Sequence, residues 1–589
     1  MIGSTVHAMR KLLPSLILLP VLFFFAATES GESATPGSTG ELPLRPSPPP
    51  TFNKHVAPII YGQCAPCHRP GQSGPFPLLT YKEVRKHGAD IVKVTARRYM
   101  PPWLPEHGYG DFVGERRLTD EQIETIRAWV AGGASEGAEA DRPPLPQWPA
   151  DWELGKPDLV VTLAKPYTLA AEGKDLYRSF VLPTSLPDSR FVKALEFKLG
   201  NQRIVHHAFL QVDASPQSRF LDGRDGAPGF DGMKTPGTTP GGHFLSWQPG
   251  RGPYVAPPGL PWTLQKGDDL ILEMHLQRTG KPEELQPSLG LYFSDVPPTG
   301  QLFKVSLQTF LIDIPAGEKN YLVKDSYPVP VDLQLLAVFP HAHYLAREMR
   351  GMALLPDGTQ QWLLLIKHWD YNWQLSYRFV KPVFLPKGTV LSMEYVYDNS
   401  AENERNPTQP PKRVEYGQQA TDEMAELWLQ VLPKNATDFN VLAADYNLKK
   451  ARDLAAYDES LLRKNPLDAA AHDELGFLYF NFGRKDEARA HIERAVEIKP
   501  DFDSPHYHLG LLHRKAGELS AAKTEFQTAI RLNPENYKAQ GNLGLILLEE
   551  GKWNQAEPRF RAALRINPGD EIARESLDQI LKAKAAGKK

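Results

Sequence analysis

In the stretch "DLILEMHLQ" (269–277) the apolar Leu270, Leu272, Met274 and Leu276 share one parity, with Glu273 and His275 on the other. A period of two marks a strand with one apolar face. A histidine turned away from that face has little packing to do, so His275 is a candidate for chemistry. The same texture, broken by Gly, Pro and Asp, recurs in "RFVKALEFKLG" (190–200) and "TVLSMEYVYD" (389–398). It is the texture of antiparallel sandwiches. It extends from about residue 160 to 432, which fits two such domains better than one.

The whole chain has 589 residues, too many for one core, and a net charge of −3 that gives no basic signature for nucleic acid. Its 54 prolines are about twice the usual share, which favours loop-rich β structure. Arg10 and Lys11 precede "LLPSLILLPVLFFFAA" (12–27), an apolar run of signal-peptide length, so residues 1–28 are expected to be a signal peptide. An uncleaved anchor is the alternative, although Pro14 and Pro20 interrupt a run already shorter than the roughly 20 residues a spanning helix needs. Residues 29–50 read as a Pro/Ser/Gly linker, and the mature protein is expected to be periplasmic or secreted.

The two cysteines lie in "YGQCAPCHRPG" (61–71). A Cys-x-x-Cys pair can be a redox dithiol, half a zinc site, a disulfide or a haem attachment site. Zinc wants further Cys or His ligands nearby, and His68 directly after Cys67 makes the c-type haem signature, with two thioethers and an adjacent iron ligand. Met100 in "RRYMPPW" (97–103) supplies a thioether that suits the second axial position, and "LTDEQIETIRAWVAGGA" (118–134) reads as a closing helix capped by Thr119. Together these features resemble a small class I cytochrome c domain. The resemblance implies an all-α unit over 51–137 with one covalent haem c held by Cys64, Cys67, His68 and Met100. A Pro-rich linker follows at 138–158.

The β region concentrates histidines: His206 and His207 in "RIVHHAFLQVD", His275, and His341 and His343 in "AVFPHAHYLARE". On a strand His341 and His343 point the same way and can share a metal. His206 and His207 diverge unless a bulge or strand-end twist intervenes. In "ATDEMAELWLQVL" (420–432), Ala425, Leu427, Leu429 and Val431 form an apolar face, leaving Met424 opposite with Glu426, Trp428 and Gln430. A thioether there suits copper.

Adjacent histidines, a later strand histidine, a His-x-His and a "DEM" methionine, in that order, resemble the copper type II ascorbate-dependent monooxygenases, the family of peptidylglycine alpha-hydroxylating and dopamine beta-monooxygenases. The resemblance implies two jelly-roll-like sandwiches, 159–300 and 301–432, and two coppers. His206, His207 and His275 would hold the electron-transfer copper; His341, His343 and Met424 would hold the oxygen-activating one and carry catalysis. It also implies an electron donor, ascorbate or a redox protein, and a small-molecule or peptide substrate. The peptide-modifying relatives bind a carboxylate with an arginine two positions before the His-x-His and with asparagine and tyrosine after the methionine. Here Phe339, Glu426 and Trp428 stand at those places, so a terminal carboxylate is expected to meet no positive charge.

Beyond 433–464, expected to be linker and a degenerate helix, Pro466, Pro500, Pro534 and Pro568 recur every 34 residues, and Gly476, Gly510 and Gly544 repeat in phase. This is the period of tetratricopeptide repeats, expected over 465–589 with a terminal capping helix and a concave face for a protein partner. His506, His508 and His513 are expected on its surface or groove. The expected whole is a multidomain oxidoreductase in which haem relays electrons to copper for C–H hydroxylation. The alternatives are a non-catalytic electron-transfer or sensory protein and a repeat scaffold with relic cofactor domains.

Overall fold

A computed structural model describes residues 49–149, 151–215, 217–232 and 236–586. The expected signal peptide and nearly all of the following linker lie outside the described residues. Residues 50–589 form one compact unit.

The first part of this unit is helical. Helices Ala57–Gln63, Tyr81–Lys86, Gly88–Ala96 and Asp120–Ala131 enclose Phe52, Ile60, Ile126 and Trp129. Thr119 caps the last helix in a reciprocal capping box with Gln122, satisfying two backbone donors that the helix start leaves free. Residues 104–114 leave this core and lie along the second sandwich. Glu106 N–H donates to the Leu365 carbonyl at 2.7 Å and Val113 N–H to that of Arg378 at 2.8 Å. The Phe112 ring packs against Tyr377 and Phe379, inside the second sandwich's core.

Two five-stranded sheets follow. One contains Leu159–Thr162, Ser288–Ser294 and Arg190–Lys198, with Tyr254–Val255 and Trp262–Leu264 both paired to the last. The other orders Phe230–Asp231, Leu176–Pro183, Asp269–Leu276, Val205–Asp213 and Ser246–Trp247. Their inner faces share one core, to which Leu270, Leu272, Met274 and Leu276 contribute as the alternation predicts. The second sandwich closes sheet Phe303–Gln308, Ala425–Pro433, Leu333–Ala342, Tyr377–Leu385 on sheet Tyr321–Pro328, Val390–Tyr397, Ala346–Leu354, Gln360–Ile366.

The stretch after the sandwiches is one 29-residue helix, Ala436–Lys464. It is bound to the second sandwich by the Tyr446 hydroxyl, which donates to the Ser306 carbonyl at 3.1 Å, and by Lys449 against Asp325 at 2.7 Å. Three helix pairs and a final helix, Glu571–Ala585, complete the chain. The repeating glycine is a crossing point: a Cβ on Gly510 would lie 2.4 Å from the Phe526 ring. Gly510→Ala should therefore destabilise the repeats by about 1–3 kcal/mol through overpacking, read as a lower Tm of the full chain, whereas the same change at the open turn position Gly517 meets no neighbour and strains only its left-handed φ of +81°. Among the described residues no helix is long and apolar enough to cross a membrane.

Candidate metal and cofactor sites

His207 and His275 face each other across the Val205–Asp213 and Asp269–Leu276 ladder. The register slips there, pairing Leu276 with Val205, so His206 has no partner in the ladder. This bulge turns His206 and His207 toward the same point, which a regular strand forbids. The three imidazoles are buried and offer nitrogen atoms within 4.8 Å of one another. His275 donates from Nε2 to Asp175 at 3.0 Å, leaving Nδ1 buried with no hydrogen-bond partner. The Nδ1 atoms of His206 and His207 stand 3.0 Å apart. Three buried imidazoles converging in this way, with His206 Nε2 and His275 Nδ1 lacking any hydrogen-bond partner, fit a metal ion; imidazoles alone suit copper and zinc equally.

The second cluster sits on the neighbouring sandwich. His341 donates from Nδ1 to the Gln374 side-chain carbonyl at 2.6 Å, and His343 from Nδ1 to the Asp422 carbonyl at 2.9 Å. Each therefore keeps Nε2 for a ligand, in an orientation fixed from behind. Glu423 ties this site together: its carboxyl accepts from the backbone N–H groups of His343, Leu345 and Met424 at 2.9, 2.6 and 3.2 Å. Complete burial pushes it up to about 8. Met424 immediately precedes the strand Ala425–Pro433, whose apolar parity was read from the sequence, and its backbone carbonyl accepts from the Tyr397 hydroxyl at 2.6 Å.

His341, His343 and Met424 line one cavity of about 320 Å³ together with His207 of the first trio. An aromatic wall of Phe209, Phe244, Phe339 and Trp428 bounds it. Lys304 also lines it, with its ammonium 4.1 Å from the centre of the Trp428 ring. This corrects the expectation that a carboxylate would meet no positive charge: the cation comes from the strand Phe303–Gln308, far from the positions compared in sequence. Sequence reading also missed His243, a buried histidine of the cavity wall paired with the Tyr254 hydroxyl. Its segment, "GGHFLSW", carries no periodic signal. His506, His508 and His513 instead pair separately with Glu525, Asp473 and Glu518 and do not converge.

Cys64, Cys67, His68 and Met100 surround a separate cavity of about 420 Å³, closed by Pro249 and Trp373 from the two sandwiches. His68 donates from Nδ1 to the Phe76 carbonyl at 3.0 Å, which frees Nε2. A Cβ on Gly74 would come within 2.7 Å of the Cys67 carbonyl and 3.0 Å of His68, so the loop closes only with glycine there. Burial pushes the Cys64 thiol up to about 12 and raises Cys67 as well, against the pull of Arg116 and Arg69. A dithiol oxidoreductase needs the opposite shift.

Burial lowers His206 to about 3, His343 to about 3 and His243 to about 4, and takes His207 well below its ordinary value. In the unfolded chain these imidazoles protonate near 6.5, so below that pH the unfolded state binds more protons and the metal-free fold loses stability. Each group costs up to about 1.4 kcal/mol per pH unit below 6.5 until its folded value is reached. The Tm of metal-free protein should therefore fall steeply from pH 6.5 to pH 4. Substituting His243 by Phe should flatten part of that slope in a calorimetric pH series.

Two stretches match family models described as tetratricopeptide repeat, residues 469–502 and 507–571, and the C-terminal helical region is made of such repeats. No curated protein matches the chain. Similar solved structures include one described as "Crystal structure of MamA", 22% identical over 24% of this chain and 84% of that one, with TM-score 0.21. Another is "First TPR of Spaghetti (RPAP3) bound to HSP90 peptide SRMEEVD", 22% identical over 20% of this chain and 93% of that one, with TM-score 0.19.

Proposed function

We propose that this chain is a secreted or periplasmic haem- and copper-dependent monooxygenase that hydroxylates a C–H bond of an organic substrate with dioxygen. The observation that carries the reading is the shared cavity, in which a histidine of one trio and a His-His-Met set from the other sandwich face the same space. The thioether favours copper over zinc. His206, His207 and His275 would hold one copper, and His341, His343 and Met424 the other. Copper supplies one-electron chemistry and a binding place for dioxygen, and the haem supplies electrons singly.

The chain's own residues do the rest. Gln374 and the Asp422 carbonyl aim the His341 and His343 rings, and Glu423 locks the backbone of His343 to that of Met424. The aromatic wall excludes water and seats the substrate, while Lys304 and Glu426 offer it one cationic and one acidic contact. The cavity beside His68 would take the haem, attached through Cys64 and Cys67 and ligated by His68 and Met100. Reductant enters from outside as ascorbate or a redox protein, and the repeats take a protein or peptide partner on their concave face.

Elemental analysis of protein matured where haem is attached, a pyridine haemochrome assay, and oxygen uptake with reductant across candidate small molecules test the reading. One covalent haem, two coppers and substrate-dependent oxygen uptake with hydroxylated product are expected. Zinc in both histidine sites, or uptake without product, would overturn it.

A further inference from the structure

The segment "HWDYNWQ" (368–374) has contacts in all three candidate sites. Gln374 orients His341, and the Trp369 indole donates to the His343 carbonyl at 3.0 Å. Tyr371 stacks on His206, ring centroids 5.0 Å apart at 21°, and meets His343 edge-on at 5.8 Å. Trp373 lines the cysteine cavity with Met100 and packs on Tyr99 at 5.8 Å. Its indole nitrogen is buried with no hydrogen-bond partner. A turn closed by Trp373 N–H on the Asp370 carbonyl at 3.0 Å holds this arrangement. Between the Cα atoms of Tyr371 and Trp373 lie two residue steps, at most roughly 7 Å of chain.

We infer that Trp373 and Tyr371 form the electron path between the haem and the first copper, an inference that rests on the function proposed above. Electron tunnelling weakens steeply with distance and weakens faster across gaps than through bonded or packed atoms. This turn joins cavity wall to imidazole stack through covalent bonds and ring contact alone. In the step, ferrous haem loses one electron and becomes ferric, and Cu(II) at His206, His207 and His275 gains it and becomes Cu(I). No atom or proton need move. An external one-electron donor, ascorbate or a redox protein, restores the ferrous haem. Trp373 and Tyr371 are positioning residues in this scheme, since neither ligates a metal.

The test uses the full chain, haem-matured and copper-loaded, under anaerobic conditions. Haem is reduced by a fast pulse of substoichiometric reductant while copper stays oxidised, and decay of the ferrous absorption band is followed. Trp373→Leu and Tyr371→Leu should each slow that decay by about tenfold or more, whereas Trp373→Phe and Tyr371→Phe, which keep a ring in place, should restore most of the rate. Haem potential and copper content should match the unaltered protein in all four. Unchanged decay in the leucine variants overturns the path. So does slowing that tracks a shifted potential or lost copper, because that is a structural effect. An unaltered chain without haem or copper, or one whose ferrous haem stays reduced, overturns the functional reading and the path with it.

Discussion

Met424→Ala should reduce product formation by more than about a hundredfold and lower the copper content from two per chain to one. The residual copper should sit at His206, His207 and His275. Those imidazoles stand on two paired strands of the other sandwich, where they are held by one another and by Asp175. The backbone around Met424 is held independently of its side chain, by Glu423 on one side and the Tyr397 hydroxyl on the other. Truncation therefore removes the sulfur without releasing the strand. Elemental analysis with spectroscopy of the remaining Cu(II) separates the outcomes. Loss of both coppers together would mean one shared site, and undiminished turnover would remove Met424 from the mechanism.

Replacing both Cys64 and Cys67 by alanine should abolish covalent haem entirely, an all-or-none effect visible as the loss of one haem mass from the denatured chain. Copper content should be unchanged, since no histidine of either cluster lines the cysteine cavity. On the proposed function, turnover should then lose its dependence on a haem-specific donor. Haem that survives denaturation of the double variant would place its attachment elsewhere in the chain.

The strands were legible because burial on one face writes itself into parity: Leu270 to Leu276 and Ala425 to Val431 are apolar at every second residue, and both runs lie in cores. The repeats were legible because the crossings recur; Gly476, Gly510 and Gly544 each leave no room for a Cβ. The Thr119 cap follows from local backbone chemistry alone. What stayed hidden depends on partners distant in sequence. His206 joins the trio only because the ladder slips opposite Leu276, a matter of register between strands some 60 residues apart. Glu423 reads as an ordinary surface acid, since carboxylates are rarely buried, yet three backbone donors hold it inside. Lys304 and His243 reach the cavity from strands and loops with no motif, and "HWDYNWQ" has no period because its side chains serve several neighbours at once.

The insertion of Phe112 into the second sandwich, with residues 104–114 bonded along its edge, has a consequence for how the molecule works as a machine. A redox unit tied only by a proline-rich tether would visit its acceptor by diffusion, at a rate set by linker length and solvent friction. Here the helical unit is bolted down, and pulling it away would tear a ring out of a neighbouring core. On the proposed function, an electron loaded beside His68 would cross a fixed gap on every cycle, as in a wired device and not a shuttle.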